Sequence, residues 1–237
     1  MKTLFMVDIE STGVNIFSDD ILQVCVLALH RNKRGYWLPE TPAARAKATR
    51  PAFLELPGLT DKKPLGEFAS KHTAHLYHRA WANVDAMKKL GRGSSVDVAG
   101  LAREKILAFV KAHTSGAAKR PVFIGWRATQ FDLPMLWRHG WLKQPGYEAG
   151  PDGKETEVGD HDYRTVELAG MLDLMRYSSS HVLSDGKKDF NYKALSRAAA
   201  ELCPEITLPE GRGEHDAVYD CYYQAKIFNG LIRMQRL

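Results

Sequence analysis

The chain has 237 residues, a length that suits one large domain or one domain with sizeable insertions, and its 44% hydrophobic content is enough for a substantial core. A formal net charge of +5 and an isoelectric point near 9.0 favour a polyanionic partner. Three cysteines (Cys25, Cys203, Cys221) are too few and too odd in number for a disulfide framework, and no apolar stretch reaches the ~18 residues of a membrane span. The N-terminal apolar run meets Asp8 almost at once, as a strand does and a signal peptide does not, so the expected location is cytoplasmic.

Leu4 to Ile9 is rich in strand formers and broken only by Asp8. Side chains alternate along a strand, so Asp8 and Glu10 share one face and Ile9 points to the other, into the core. Two adjacent carboxylates repel each other unless a cation neutralises them, and hard divalent ions such as Mg²⁺ or Mn²⁺ prefer oxygen ligands. Ser11-Thr12-Gly13 is turn chemistry that can bring backbone N–H groups near a ligand. A strand ending in a solvated polar turn is the competing reading of this stretch taken alone.

Ile21 to Leu29, apolar apart from Gln23, predicts a strand covered on both faces and paired with the first through the 13–20 turn. Gly35 to Leu38 predicts a short third strand. Residues 41–70 show no clear period, contain Pro42, Pro51, Pro57 and Pro64, and carry Arg45, Lys47 and Arg50. They read as a solvated loop or as a basic flap over a phosphate backbone. Ser70 to Leu90 predicts an amphipathic helix with Ser70 as N-cap; its His72, His75 and His78 read as a solvated or stacking face rather than a zinc site. A second helix is predicted from about Val96 to His113, with Ala102, Ile106, Phe109 and Val110 inward, followed by a buried strand at Pro121–Trp126. The acidic, Gly-containing stretch 144–165 lacks EF-hand spacing and reads as a surface insertion. Helices are predicted at Phe190–Glu201 and through the C-terminal segment, so the whole pattern is α/β.

Two further acidic stretches stand out. In Gly125 to Leu136, Asp132 stands where a helix begins, with Pro134 in its first turn; by itself this Asp reads as an N-cap. In Glu214 to Asp220, Asp216 can cap the last helix, whereas Asp220 lies among Ala217, Val218 and Cys221 on the packed side, where a carboxylate is costly unless paired or bound to metal. His215, just ahead of that helix, suits proton transfer.

Together these stretches resemble the DEDDh branch of the DEDD 3′→5′ exonucleases, with their ribonuclease H-like fold of a mixed central sheet flanked by helices. The family's D-x-E motif matches Asp8 and Glu10, followed by Thr12 and Gly13. Its strand-to-helix F-D matches Phe131 and Asp132, and its H-x4-D matches His215 and Asp220 with Ala217 between. Tyr219 adjoins Asp220 and does not fit the spacing of the tyrosine branch. The chain departs from leaner members by insertions at about 34–95 and 144–165, and by Trp126-Arg127-Ala128 where an Asn-type residue often precedes the F-D.

The resemblance implies that Asp8, Glu10, Asp132 and Asp220 hold two Mg²⁺ or Mn²⁺ ions about 4 Å apart. It makes His215 the base that deprotonates the attacking water, and a nucleoside 5′-monophosphate the product. It places the terminal nucleotide against Ile9, Thr12, Gly13 and Val14, with Phe131 beside the site in the core or as a stacking platform and Trp126 as a candidate base contact. The expected partner is a nucleic acid with a free 3′ end, single-stranded or frayed, DNA ahead of RNA, with a protein partner or homodimer left open. Competing functions are a catalytically silent nucleic-acid-binding module and a phosphodiesterase for short or cyclic oligonucleotides.

Overall fold

The computed structural model describes residues 3–39, 51–58, 65–76, 98–114, 120–151, 154–162, 165–172 and 192–235. β1 (Thr3–Ser11) is the middle of a mixed sheet. It pairs antiparallel with β2 (Ile21–Arg31), and β2 pairs antiparallel with both β3 (Trp37–Pro39) and β4 (Phe53–Pro57) along its other side. On the opposite side β1 runs parallel to β5 (Val122–Gly125), which runs parallel to β8 (Val166–Glu167). The predicted β2 is as expected: its first nine residues are buried, covered on both faces.

The alternation of β1 decides which layer each residue meets. Phe5, Val7 and Ile9 pack with Ile106, Phe109 and Val110 of helix α2 (Val98–His113) and with Leu133 and Leu136 of α3 (Asp132–Arg138). Met6 turns to the other face and packs with Val218, Cys221 and Ala225 of α5 (Ala217–Met234). The inward residues expected of the second helix, Ala102, Ile106, Phe109 and Val110, are all buried. The three cysteines are free and buried, which makes them packing residues.

Helix α4 (Tyr192–Glu201) lies so close to α5 that a Cβ on Gly230 would come 1.8 Å from the Ala199 carbonyl oxygen. Gly230→Ala must therefore push the two helices apart. An expected loss of roughly 1–3 kcal/mol is read from denaturant unfolding.

Two sequence expectations need correction. The segment 41–70 is not loop throughout: Phe53–Pro57 forms β4, and Pro57 ends it at the sheet edge, where a missing N–H is tolerated. Residues 40–50 and 59–64 lie outside the described residues. The helix expected to start at Ser70 begins earlier, as α1 (Glu67–His72) with Gly66 at the N-cap position and Ser70 inside it. A tertiary bond sets that start, because the Gly66 amide donates to the Thr12 carbonyl at 2.9 Å. The remainder of that predicted helix, with His78, lies outside the described residues.

The acidic stretch 144–165, read as a surface insertion, contains a hairpin of β6 (Gly146–Ala149) and β7 (Glu155–Val158). Its far end is tied to the core. Asp160 accepts from Arg103 Nε at 2.6 Å and from the Lys143 amide at 2.7 Å, and buried His161 stacks on Trp137 at 5.8 Å. Among the described residues no helix is long and apolar enough to cross a membrane.

Candidate active site

Asp8 and Glu10 point from β1 towards α5, the face to which Met6 also turns. α5 starts close to this edge because Asp216 caps it, accepting from the amides of Val218 and Tyr219. Asp220, one turn in, then faces Glu10. His215 precedes the cap in the left-handed region at φ 63°, a conformation that costs about 1–2 kcal/mol for a residue with a Cβ. Its amide donates to Asp220 Oδ2 at 3.1 Å. As a result Glu10, His215 and Asp220 bring one ligand-type atom each within 4.8 Å of one another.

Asp132 reaches the site from the opposite layer. The described ladder between β1 and β5 ends at Met6, so β1 outruns β5 and the Ile9 amide has no strand partner there. Asp132 Oδ1 accepts that amide at 2.9 Å. The expectation that Asp132 by itself would read as an N-cap is corrected by this contact. Phe131 holds the cap position with no side-chain bond, and Asp132 is the first helical residue.

The charge balance of the four acids is unusual. Burial is the main cause that lifts all four carboxyls. Glu10 is pushed up to about 9, reinforced by Asp220, and Asp132 to about 8, with Glu167 adding repulsion. Asp8 is raised well above the ordinary carboxylate range by burial, then by Asp132, Glu10 and Asp220; Asp220 rises to about 6. Among the described residues no Lys or Arg side chain forms an ion pair with any of the four. Four oxygen-donor side chains, desolvated and mutually repelling, fit hard divalent cations. Burial and the neighbouring His72 hold the His215 imidazole below its ordinary value, which favours its neutral form at pH 7.

The residues expected to touch a nucleotide divide into two groups. Ile9 is buried and its amide is bonded to Asp132, so it places that carboxylate. Thr12 is buried and builds the turn: its amide donates to the Asp20 carbonyl and its hydroxyl accepts from the Asp20 amide, both at 2.9 Å. Trp126 and Phe131 are half-buried and packed against the two core layers, Trp126 on the α4–α5 side and Phe131 on the α2–α3 side. Gly13 and Val14, by contrast, line an open groove of about 550 Å³ together with Asn15, Asp19, Phe68 and His72.

Several residues of the site were not marked by sequence reasoning. Gln224 donates to Asp8 Oδ1 at 2.7 Å while its Oε1 accepts the Trp126 amide at 3.1 Å, locking Asp8 between β5 and α5. Its position one helical turn after Asp220 is a signal that could have found it. Gln23, the polar break in β2, accepts the Ala217 amide at 2.9 Å and donates to Glu55 at 2.8 Å. Arg212 then bridges Glu55 at 2.7 Å and Asp216 at 2.9 Å, fixing the start of α5. Because Gln224 orients Asp8, Gln224→Ala is expected to weaken divalent-cation affinity by about 10–100-fold with the fold intact, as measured by thermal melting across a Mg²⁺ titration.

No protein-family model matches the sequence, and no curated protein matches it. Among solved structures, the zinc-bound form of the E. coli ExoI–single-stranded DNA complex is similar in fold, with a TM-score of 0.53 at 15% identity. The match covers 100% of this chain and 41% of that one, so the chain spans less than half the length of its neighbour. The fold is accordingly the mixed α/β, ribonuclease H-like arrangement expected from the sequence.

Proposed function

We propose that this chain is a divalent-metal-dependent 3′→5′ exonuclease that acts on single-stranded DNA, organised as one catalytic domain with insertions at about 34–95 and 144–165. The observation that supports this most is the convergence of Asp8, Glu10, Asp132 and Asp220, with which no Lys or Arg among the described residues pairs, with His215 at their edge. Asp8, Glu10 and Asp220 would hold one Mg²⁺ or Mn²⁺, and Asp8 with Asp132 a second. When bound, such ions lower the pKa of a water and stabilise charge on the scissile phosphate.

The protein's own part is positioning and proton transfer. Gln224 and the Ile9 amide hold Asp8 and Asp132 in place. A neutral imidazole nitrogen of His215 takes the proton from the attacking water. The phosphorus–O3′ bond breaks, the shortened strand leaves with a 3′-hydroxyl, and a nucleoside 5′-monophosphate is released. The DNA complex of ExoI, together with the net charge of +5, favours single-stranded DNA as substrate, with RNA second.

The test is product analysis. Single-stranded and duplex DNA and RNA of equal length are digested, and the products are separated by chromatography. Nucleoside 5′-monophosphates from single-stranded DNA as the fastest reaction support the proposal. Oligonucleotide products, or activity restricted to dinucleotides and cyclic substrates, would assign a different phosphodiesterase.

A further inference from the structure

The loop that carries His215 is anchored by a clamp whose far end lies on a different strand. Arg212 donates from Nη1 to Asp216 Oδ1 at 2.9 Å and Oδ2 at 3.1 Å, and from Nη2 to Glu55 Oε2 at 2.7 Å. The other oxygen of Glu55 accepts from Gln23 Nε2 at 2.8 Å, and Gln23 Oε1 accepts the Ala217 amide at 2.9 Å. These contacts close a ring. Gln23 and Glu55 join β2 to β4, Arg212 joins β4 to the loop, and Asp216 with Ala217 joins the loop to α5. The Arg212 and Glu55 side chains are only 21% and 22% exposed, so the pair is a shielded, charge-assisted clamp rather than a loose surface contact.

His215 lies inside the span that this ring closes, between Arg212 and Asp216, in the left-handed region at φ 63°. Its imidazole meets the rings of Phe68 and His72, which fix no backbone angle. Gly211, at φ 71°, and Gly213 flank Arg212, and a Cβ at either would meet nothing within 4 Å. The segment ahead of His215 therefore has wide backbone freedom and open space around it. A rare backbone conformation persists only where its surroundings over-determine it. Here they are the Arg212 clamp on one side and the bond from the His215 amide to Asp220 on the other. A planar guanidinium fork can grip two carboxylates at once, which suits Arg212 to this place.

We propose that Arg212 is a positioning residue for the candidate base: by gripping Glu55 and Asp216 together it holds the 212–216 span in the conformation that keeps the His215 imidazole beside Glu10 and Asp220. This rests on the exonuclease reading. Glu55 comes from β4, within the proposed insertion at about 34–95, so that insertion takes part in placing the base.

Hydrolysis of 5′-labelled single-stranded DNA is measured for the wild type, Arg212→Ala, His215→Ala and the double variant. Arg212→Ala is expected to lower kcat by about 10–100-fold with KM nearly unchanged. The double variant is expected to be no slower than His215→Ala, because a positioning effect vanishes with the residue it positions. Millimolar guanidinium should restore part of the activity of Arg212→Ala and none of that of His215→Ala. Glu55→Gln loosens the clamp from its other end and leaves the loop sequence intact; it should lower kcat in the same direction, and it carries the test if Arg212→Ala does not fold. In parallel, histidine ring signals are followed by NMR, that of His215 being identified by its loss in His215→Ala. One His215 signal in the wild type, and several or a broadened one in Arg212→Ala, support the clamp. An unchanged His215 signal and unchanged kcat in Arg212→Ala and Glu55→Gln overturn it while leaving the exonuclease standing. A further loss from Arg212→Ala in the His215→Ala background, with a rise in KM, also overturns it and makes Arg212 a substrate contact. A His215 signal that depends on Arg212, in a wild type that hydrolyses no substrate, overturns the exonuclease and leaves the clamp in place.

Discussion

Asp8→Asn is expected to reduce kcat on single-stranded DNA by roughly 10³-fold or more, because the carboxylate shared by both proposed cations supplies several kcal/mol of transition-state stabilisation. The same substitution should have the opposite effect on the metal-free fold. Glu10 and Asp132 titrate near 9 and 8 in the folded chain, whereas an unfolded carboxyl titrates near ~4. Between those limits the folded protein binds more protons than the unfolded one, so stability falls as pH rises from about 5 to 9. Melting in EDTA should show that decline in the wild type. Asp8→Asn, which removes one repelling acid, should melt higher at pH 8 and decline less steeply. Mg²⁺ or Mn²⁺ should raise the melting temperature of the wild type at pH 8 and leave that of Asp8→Asn nearly unmoved. A wild type indifferent to both pH and divalent cations would contradict the reading of the four acids as a cation site.

His215→Ala should separate proton transfer from cation binding. Loss of a positioned base costs about 10²–10⁴-fold in kcat. The rise in melting temperature with Mg²⁺ should persist, because the four carboxylates remain. His215 lies within ligand distance of Glu10 and Asp220, so the alternative role is explicit: if it were a metal ligand, the substitution would also shrink the Mg²⁺ shift. Steady-state kinetics beside melting curves decide between base and ligand.

Much of this site is legible in the sequence, for reasons that can be stated residue by residue. Strand alternation alone puts Asp8 and Glu10 on one face, and the helical period puts Asp220 towards the core side of α5. The buried run of β2 and the inward face of α2 follow from the same periodicities. What the sequence hides is set by tertiary contact. Asp132 looks like a cap because a cap is the commonest local use of Asp at a helix start. Its actual partner, the Ile9 amide, lies 123 residues away and exists because β1 outruns β5. Gln224 and Gln23 satisfy amides and carboxylates on other elements; the helical turn from Asp220 to Gln224 and the polar break at Gln23 mark them as unusual, but their partners are set by the fold.

β4 was masked by Pro51 and Pro57 and by the lack of a clean alternation, since an edge strand is defined by its pairing with β2 rather than by its own pattern. The start of α1 was misplaced for the same kind of reason, a bond from Gly66 to Thr12 outweighing a better local cap at Ser70. The clamp from Glu55 through Arg212 to Asp216 joins distant parts of the chain, and only the fold brings them together.

The central claim, that these carboxylates serve hydrolysis from the 3′ end, is tested most directly with a single-stranded DNA labelled at its 5′ end. It is incubated with Mg²⁺, with Mn²⁺ or with EDTA and resolved on a denaturing gel. A ladder that shortens one nucleotide at a time from the 3′ end, present with either metal and absent in EDTA, is the predicted result. A DNA that is bound yet stays full length with both metals would contradict it and leave the fold as a nucleic-acid-binding module.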